Sequence, residues 1–567
     1  MPSQIATGKQ NFSAIIQNNY FYVDKTKFIK NWWIGGDDVT LITRPRRFGK
    51  TLMLDTVNTF FSPKFADRSD LFEGLEIWKD EQFRKLQGKI PVIFLSFANV
   101  KESTFLGAIR SIKFTIERCY AQFRYILNQN NLLSDDEHRY FLATNRDMVD
   151  SDAKNAILSL SEYLYRFYNA KPIILLDEYD TPLQDAWAYE YWDELADFFR
   201  GFFNSTFKTN QYLERGLISG ITRIAKESIF SDLNNLTVVT VTSDLYSDCF
   251  GFTEEEVFNA MDTYGLTNKK EVKQWYDGFI FGDQKEIYNP WSIINFLSLK
   301  KLDTYWANTS SNALVGKLIA KSNRIIKEEI EKLLLSEPII TKLDEQIVFS
   351  ELYTKNEAIW GLLLSAGYVK TLSFDISTRQ YKLIPTNIES YYILENQISS
   401  WFNKVSIKKN DFINALLNDN IDDMNELMLD ITENIFSYFD LKSGNKKEKD
   451  TAENFYHAFV LGLLVDLKGK YKIRSNRESG LGRYDICMFP SDVSNHGIII
   501  EFKVMREKKE RDLDETCVNA LKQIKDKHYI NELLAHKVDV NNIYIYGFAF
   551  KGKNVLISGG LYSEINL

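Results

Sequence analysis

The chain is poor in cysteine: Cys119, Cys249, Cys487 and Cys517 are scattered over 567 residues and form no C-x-x-C pair. That spacing excludes a disulfide framework and a zinc knuckle, and a reducing cytoplasm is the expected setting. Long apolar runs are also missing. No stretch approaches the roughly 18 residues of a membrane span, and the N-terminal MPSQIATGKQNFSAII lacks a basic region followed by an apolar one. Neither export nor insertion is expected, and no membrane partner is assigned. Positive charge is not in excess either. A formal net charge of -8 argues against a uniformly basic coat for nucleic acid, although a local basic groove can coexist with an acidic total. No internal repeat is evident. What is present is 44% hydrophobic and 26% charged residues, the balance of a globular protein. The length exceeds what one core serves, so about three or four domains are expected. The aromatics, 14% of the chain, are assigned to cores and none to base stacking.

Residues 44–51 read R-P-R-R-F-G-K-T. The usual phosphate loop is G-x-x-x-x-G-K-[ST], whose backbone N–H groups cradle phosphates while the Lys reaches the β and γ phosphates and the hydroxyl ligates Mg²⁺. Gly49, Lys50 and Thr51 fit, whereas Arg44 stands where the first glycine belongs. The context fits as well. Val39-Thr40-Leu41-Ile42-Thr43 reads as a buried parallel strand, and the following TLMLDTVNTFF places Leu52, Leu54 and Val57 at helical spacing. Pro45 can fix the turn, Arg46 and Arg47 can add positive charge beside phosphates, and Phe48 belongs to the same nucleotide-binding stretch. The alternative is a basic turn with no ligand.

A phosphate loop needs a second strand that ends in acids, to hold Mg²⁺ and orient the attacking water. KPIILLDEYDTPL supplies one: the apolar run Ile173 to Leu176 ends at Asp177, placed to contact the metal through water, and Glu178, placed to polarise the nucleophilic water. Capping of the next helix is the competing role for these acids. Two further strands, PVIFLSFANV at 91–100 and GLISGITRIA at 216–225, complete a parallel pattern with intervening helices. Ser219 and Thr222 lie near the end of the latter, where a polar group can sense the γ phosphate. Arg223 is either a transition-state cation or a surface arginine.

With these motifs in view, YFYVDKTKFI at 20–29, LITRPRRFGKTLMLDT at 41–56, IILLDEYDTPL at 173–183 and YNPWSIINFL at 288–297 resemble the bacterial predicted AAA-ATPase-like family. The arginine-for-glycine replacement resembles that family's own version of the loop. The resemblance implies ATP as the nucleotide and a C-terminal nuclease domain of the PD-(D/E)XK superfamily.

The C-terminal part reads ENFYHAFVLGLLVDL, KIRSNRESGLGRYDICMFP, GIIIEFKV and ALKQIKDKHY. Metal-dependent phosphodiester cleavage needs carboxylates converging on Mg²⁺ or Mn²⁺ and a cation near the attacking water or scissile phosphate. Glu501 and Lys503 are two apart on one strand and project from the same face, while Phe502 points the other way. Asp485, sixteen positions upstream of Glu501, fits the end of a neighbouring antiparallel strand joined by a turn containing Pro490, Ser491 and Asp492. Glu453, at the start of a helix with apolar Phe455, Phe459 and Leu463, is placed to supply a further carboxylate or to steady a bound water, and Gln523 on the later helix to complete the pocket. Gly480 and Gly482 suit a tight turn, and Arg483 a phosphate contact. The competing reading of Asp485, Glu501 and Lys503 is a set of charges on a structural strand.

The expected fold class is α/β multidomain: a P-loop NTPase with a parallel sheet, a helical lid, a winged-helix-like middle and a restriction-endonuclease-like α/β domain. The expected boundaries are 1–250 for the ATPase, 251–335 for the aromatic, mostly helical lid, 336–400 for the winged helix, 401–450 for a helical connector ending in the solvated KSGNKKEKD, and 451–567 for the nuclease-like domain. The expected function is an ATP-binding and ATP-hydrolysing protein coupled to a metal-dependent nuclease, DNA being favoured over RNA, in defence or mobile-element biology. A nucleotide-gated switch or scaffold that binds nucleic acid or a partner without cutting it is the alternative. Homo-oligomerisation is left open.

Overall fold

A computed structural model describes residues 3–223, 229–230, 233–306, 318, 322, 324–334, 337–343, 355–401, 406–436, 460, 464, 467, 469–479, 482–506, 510–551 and 554–565. The chain divides into two compact units, one of Met1–Leu318 with Pro338–Ile393 and the other of Ile319–Glu337 with Leu394–Leu567.

The first unit is built on five strands: β1 (Val39–Thr43), β2 (Val92–Ser96), β3 (Ile173–Asp177), β4 (Arg215–Gly220) and β5 (Leu236–Val239). They form an all-parallel sheet in the order β2-β3-β4-β1-β5. All five residues of β1 and of β3 are buried, because helices cover both faces of such a sheet and leave no solvent side. Alternation then sorts side chains between two cores. Leu41, Ile174 and Leu176 enter one with the aromatic-rich helix Trp192–Phe203, and Ile42, Ile173 and Leu175 enter the other with the helix Lys50–Phe61. The expected strands at 91–100 and 216–225 are shorter in the structure, and 224–228 lie outside the described residues.

The stretch read as a mostly helical lid contains helices at Glu254–Thr263, Lys269–Tyr276 and Pro290–Leu299, but also a three-stranded sheet. Its strands are β6 (Phe252–Thr253), β7 (Phe279–Phe281) and β8 (Gln284–Tyr288), in the order β6-β8-β7. The physical reason is local. Gly278 and Gly282 take φ of 121° and 55° and stop the helical pattern on either side of Phe-Ile-Phe, whose two phenylalanines are buried at a spacing of two. A second small sheet has the order β10-β11-β9, from β9 (Ile339–Thr341), β10 (Val369–Asp375) and β11 (Gln380–Pro385), with the buried helix Asn356–Ser365 before the hairpin. The helix-then-hairpin pattern read from the sequence is present, with β9 added as a third strand.

In the second unit, helices Ser406–Leu417 and Ile421–Phe436 precede β12 (Tyr471–Ser479), β13 (Gly482–Pro490), β14 (Gly497–Val504), β15 (Ile543–Lys551) and β16 (Asn554–Leu561). The sheet is mixed: β14 and β15 are parallel, and the other neighbours antiparallel. The parallel pair requires a crossover, which the helix Leu513–Asp526 supplies. Ile498, Ile500 and Phe502 face one core and Ile499 the other. The KSGNKKEKD segment and the expected helix containing Glu453, Phe455 and Phe459 lie outside the described residues, as does Gly480.

Candidate functional site

The N-terminal site forms where β1 gives way to the helix Lys50–Phe61. Gly49 is the residue before the helix, with φ 80°, no side-chain cap and open space where a Cβ would stand. The N–H groups of the first helical turn have no carbonyl four residues earlier in the helix, so they are available to an anion, and the helix dipole favours one. Lys50 Nζ donates to the carbonyls of Arg44 at 2.8 Å and Pro45 at 2.9 Å. Burial pushes its pKa down to about 8, against the opposing pull of Glu178, Asp177 and Asp180.

Asp177 closes β3 at 1% exposure. One carboxylate oxygen accepts from Thr51 Oγ1 at 2.8 Å and the other from Ser219 Oγ. The strand order explains the triad, since β4 lies between β1 and β3 and carries Ser219. Glu178 follows with φ 51° and accepts from Thr181 Oγ1 at 3.1 Å. The donor set of Thr51 and Asp177 is all hard oxygen, which fits Mg²⁺.

Arg44 is fully buried. Its guanidinium turns inward and donates to the carbonyls of Thr43 at 3.0 Å, Thr240 at 2.5 Å and Leu245 at 3.4 Å, over the ring of Phe281. The residue that replaces the glycine is therefore a strut between the loop and the segment after β5. Phe48 packs edge-on against Phe279 and Phe281 at 4.8 and 5.3 Å between ring centroids. The Arg47 guanidinium lies 4.4 Å over Trp291, and Arg46 donates to Gln184 at 3.4 Å. Thr222 is turned to Asp180, which accepts from the Ile221 and Thr222 N–H groups at 3.0 and 2.9 Å and from Thr222 Oγ1 at 2.8 Å. Half-buried Arg223 follows directly. The sequence reading assigned nothing to Asp180; its signal was the second aspartate of the D-E-Y-D run.

At the C-terminal site the ladder between β13 and β14 ends at Ile486 opposite Ile500. One residue further the Asp485 side chain takes over, accepting from the Phe502 N–H at 2.7 Å. That substitution brings Asp485 beside Glu501, which is 1% exposed. Lys503 Nζ donates to Glu501 Oε1 at 3.0 Å, and Gln523, from the helix Leu513–Asp526, donates to the same oxygen. Gln523 also donates to the Tyr529 hydroxyl at 3.2 Å. Burial raises the Tyr529 pKa, and the charges that act on it are those of Glu501, Asp485 and Lys503. Four expected residues therefore converge around one tyrosine that the sequence reading left unassigned, although it closes the quoted ALKQIKDKHY. Phe502 points into the opposite core, as its alternation required. Two carboxylates offer hard oxygen donors, which fit Mg²⁺ or Mn²⁺. Glu453 lies outside the described residues, and β13 includes Arg483 without its side chain being described.

Residues 6–230 match the family model described as predicted AAA-ATPase, and residues 451–559 match that of the PD-(D/E)XK nuclease superfamily. An uncharacterized protein in the vnfD 5′ region of Azotobacter chroococcum mcd 1 is 25% identical over 370 residues, which cover 65% of this chain. The chain spans 64% of that relative's length. Among the described residues no helix is long and apolar enough to cross a membrane.

Proposed function

We propose, from an AAA-ATPase-like domain and a PD-(D/E)XK nuclease-superfamily domain on one chain, that the protein binds and hydrolyses ATP and cuts nucleic acid, DNA in preference to RNA. The observation that carries the reading is the convergence of Asp485, Glu501, Lys503 and Gln523 where the ladder between β13 and β14 stops. A purely structural strand has no reason to replace a ladder carbonyl with a carboxylate and to gather a lysine and a glutamine on its neighbour.

In the N-terminal site, the N–H groups of residues 49–51 bind phosphate oxygens, and Lys50 exchanges the loop's own carbonyls for the β and γ phosphates. Thr51 and Asp177 would hold the metal, and Glu178 would orient the attacking water. Arg46 and Arg47 supply positive charge at the loop's rim, and Ser219 fixes the Asp177 carboxylate. In the C-terminal site Asp485 and Glu501 would hold the metal, with Glu453 as a further carboxylate. Lys503 stabilises negative charge on the attacking water or the scissile phosphate, and Gln523 orients Glu501. When bound, Mg²⁺ supplies charge neutralisation on the phosphates and a water of lowered pKa.

The test is cleavage of single- and double-stranded DNA and RNA with Mg²⁺ or Mn²⁺, with and without ATP, by the full chain and by Lys503→Ala. Metal-dependent cutting that disappears in the variant is expected. Absence of cutting on every substrate, with ATP binding intact, overturns the nuclease reading in favour of a nucleotide-gated switch.

A further inference from the structure

Adjoining the phosphate loop, the first unit holds an open cleft of about 320 Å³. That volume lies in the range of small-molecule sites. The cavity lies between the β7–β8 hairpin and the β10–β11 hairpin, with Pro45 of the phosphate loop in its wall. Its two ends are chemically different. At one, Gly278 (φ 121°) lets the chain pass so close that a Cβ would stand 2.3 Å from the Thr386 carbonyl and 2.5 Å from Lys370 Nζ. At the other, Gly282 (φ 55°) allows the same approach to Asp244, whose Oδ1 accepts from the Asp283 N–H at 2.7 Å. The two glycines flank β7, so the poles are separated by up to about 13 Å of extended chain. Between the poles the wall is aromatic, with Phe279, Phe281, Phe374 and Tyr381, the last two rings 4.5 Å apart. Burial pushes the Lys370 pKa below its ordinary value while Asp277 draws it back up.

A cation whose charge is partly offset by Asp277 at one end, two carboxylates at the other and aromatic walls between them select a molecule with a single anionic group at one end, planar, and an N–H donor at the far end. We propose that this cavity binds a nucleoside monophosphate, with its phosphate on Lys370, its base along Phe374 and Tyr381 and an exocyclic amine on the Asp244 and Asp283 carboxylates. A single lysine whose charge is already partly offset by Asp277 suits one phosphate rather than the chain of charges on a triphosphate. The site is therefore distinct from the ATP-binding loop. It is coupled to that loop through Pro45, whose carbonyl accepts from Lys50.

The experiment is calorimetric titration of the full chain carrying Lys50→Ala, which disables the phosphate loop, with AMP, CMP and UMP. Saturable binding of AMP and CMP is expected, with UMP, which has no exocyclic amine, weaker by about tenfold or more. Lys370→Met and Phe374→Ala are each expected to weaken CMP binding by about tenfold or more, and Phe374, 48% exposed, is not needed by the core. Weakening in either variant, with its circular dichroism unchanged, supports the assignment. No saturable binding at millimolar nucleotide, affinity unchanged in both variants, or UMP equal to CMP overturns it. The readout is independent of ATP hydrolysis and of cutting, so its failure leaves the reading of those sites standing.

Discussion

The two acidic sites handle their lysines in opposite ways. At the phosphate loop the Lys50 ammonium rests on two neutral carbonyls, while Asp177 is held by the hydroxyls of Thr51 and Ser219. Cation and acid are kept on separate partners, each of which a ligand can displace at modest cost. At the sheet of the second unit the lysine is paired directly with the buried acid, Lys503 on Glu501, and Gln523 adds a second donor to the same oxygen. A cation entering there competes with an ion pair already in place, in surroundings where the Coulomb term is strong. On the proposed reading, the first arrangement suits a site that takes a polyanion, and the second a carboxylate neutralised by its neighbours.

Disabling one site and reading the other tests whether the two act independently. Asp485→Asn and Lys503→Ala are each expected to lower metal-dependent cutting by about 10³-fold, with ATP turnover unchanged. A parallel loss of ATP turnover would show that the two sites are not independent. Lys50→Ala is expected to lower ATP hydrolysis by about 10²-fold or more in a steady-state phosphate-release assay. Cutting measured without ATP should then match that of the unsubstituted chain.

Arg44→Gly sharpens the contrast from the side of the loop, because it restores the usual glycine. The buried guanidinium is the donor to the Thr43, Thr240 and Leu245 carbonyls, and burial pushes its pKa down to about 9. Removing a buried charged donor strands its acceptors and leaves a cavity. The expected destabilisation is about 4 kcal/mol in denaturant unfolding. A variant as stable as the unsubstituted chain would show that Arg44 is dispensable as a strut.

These differences explain what was legible in the sequence. The N-terminal site is a run of adjacent residues at the ends of two buried strands, so strand, loop and acids could be read in line. The C-terminal site depends on alternation, which put Glu501 and Lys503 on one face, and on a ladder that stops one residue short of Asp485, which one sequence encodes only as spacing. Tyr529 and Asp180 were missed because their partners are brought together by the fold: Tyr529 meets Gln523 after a helix ends, and Asp180 meets Thr222 on a different strand connection. The inward turn of Arg44 was illegible for the same reason, since its acceptors at Thr240 and Leu245 lie roughly 200 residues away. The small β6–β8 sheet was hidden by strands too short to show a period.

A buried acid outside both sites supplies a control. Glu389, 1% exposed, accepts from Ser292 Oγ at 2.7 Å and from the Trp306 N–H at 2.6 Å. Burial pushes its pKa up from the ordinary 4.5 to about 7, the two hydrogen bonds opposing the shift. Between those two values the folded chain binds more protons at this position than the unfolded chain. The stability Glu389 contributes is therefore fully present below pH 4.5 and is lost as pH rises through about 7. Glu389→Gln keeps an acceptor for both donors and removes the titration. Relative to the unsubstituted chain, the variant should gain about 2 kcal/mol on going from pH 5 to pH 8 in denaturant unfolding. A difference that stays flat with pH would mean that Glu389 keeps its charge in the folded chain, as an acid held by hydrogen bonds rather than governed by burial.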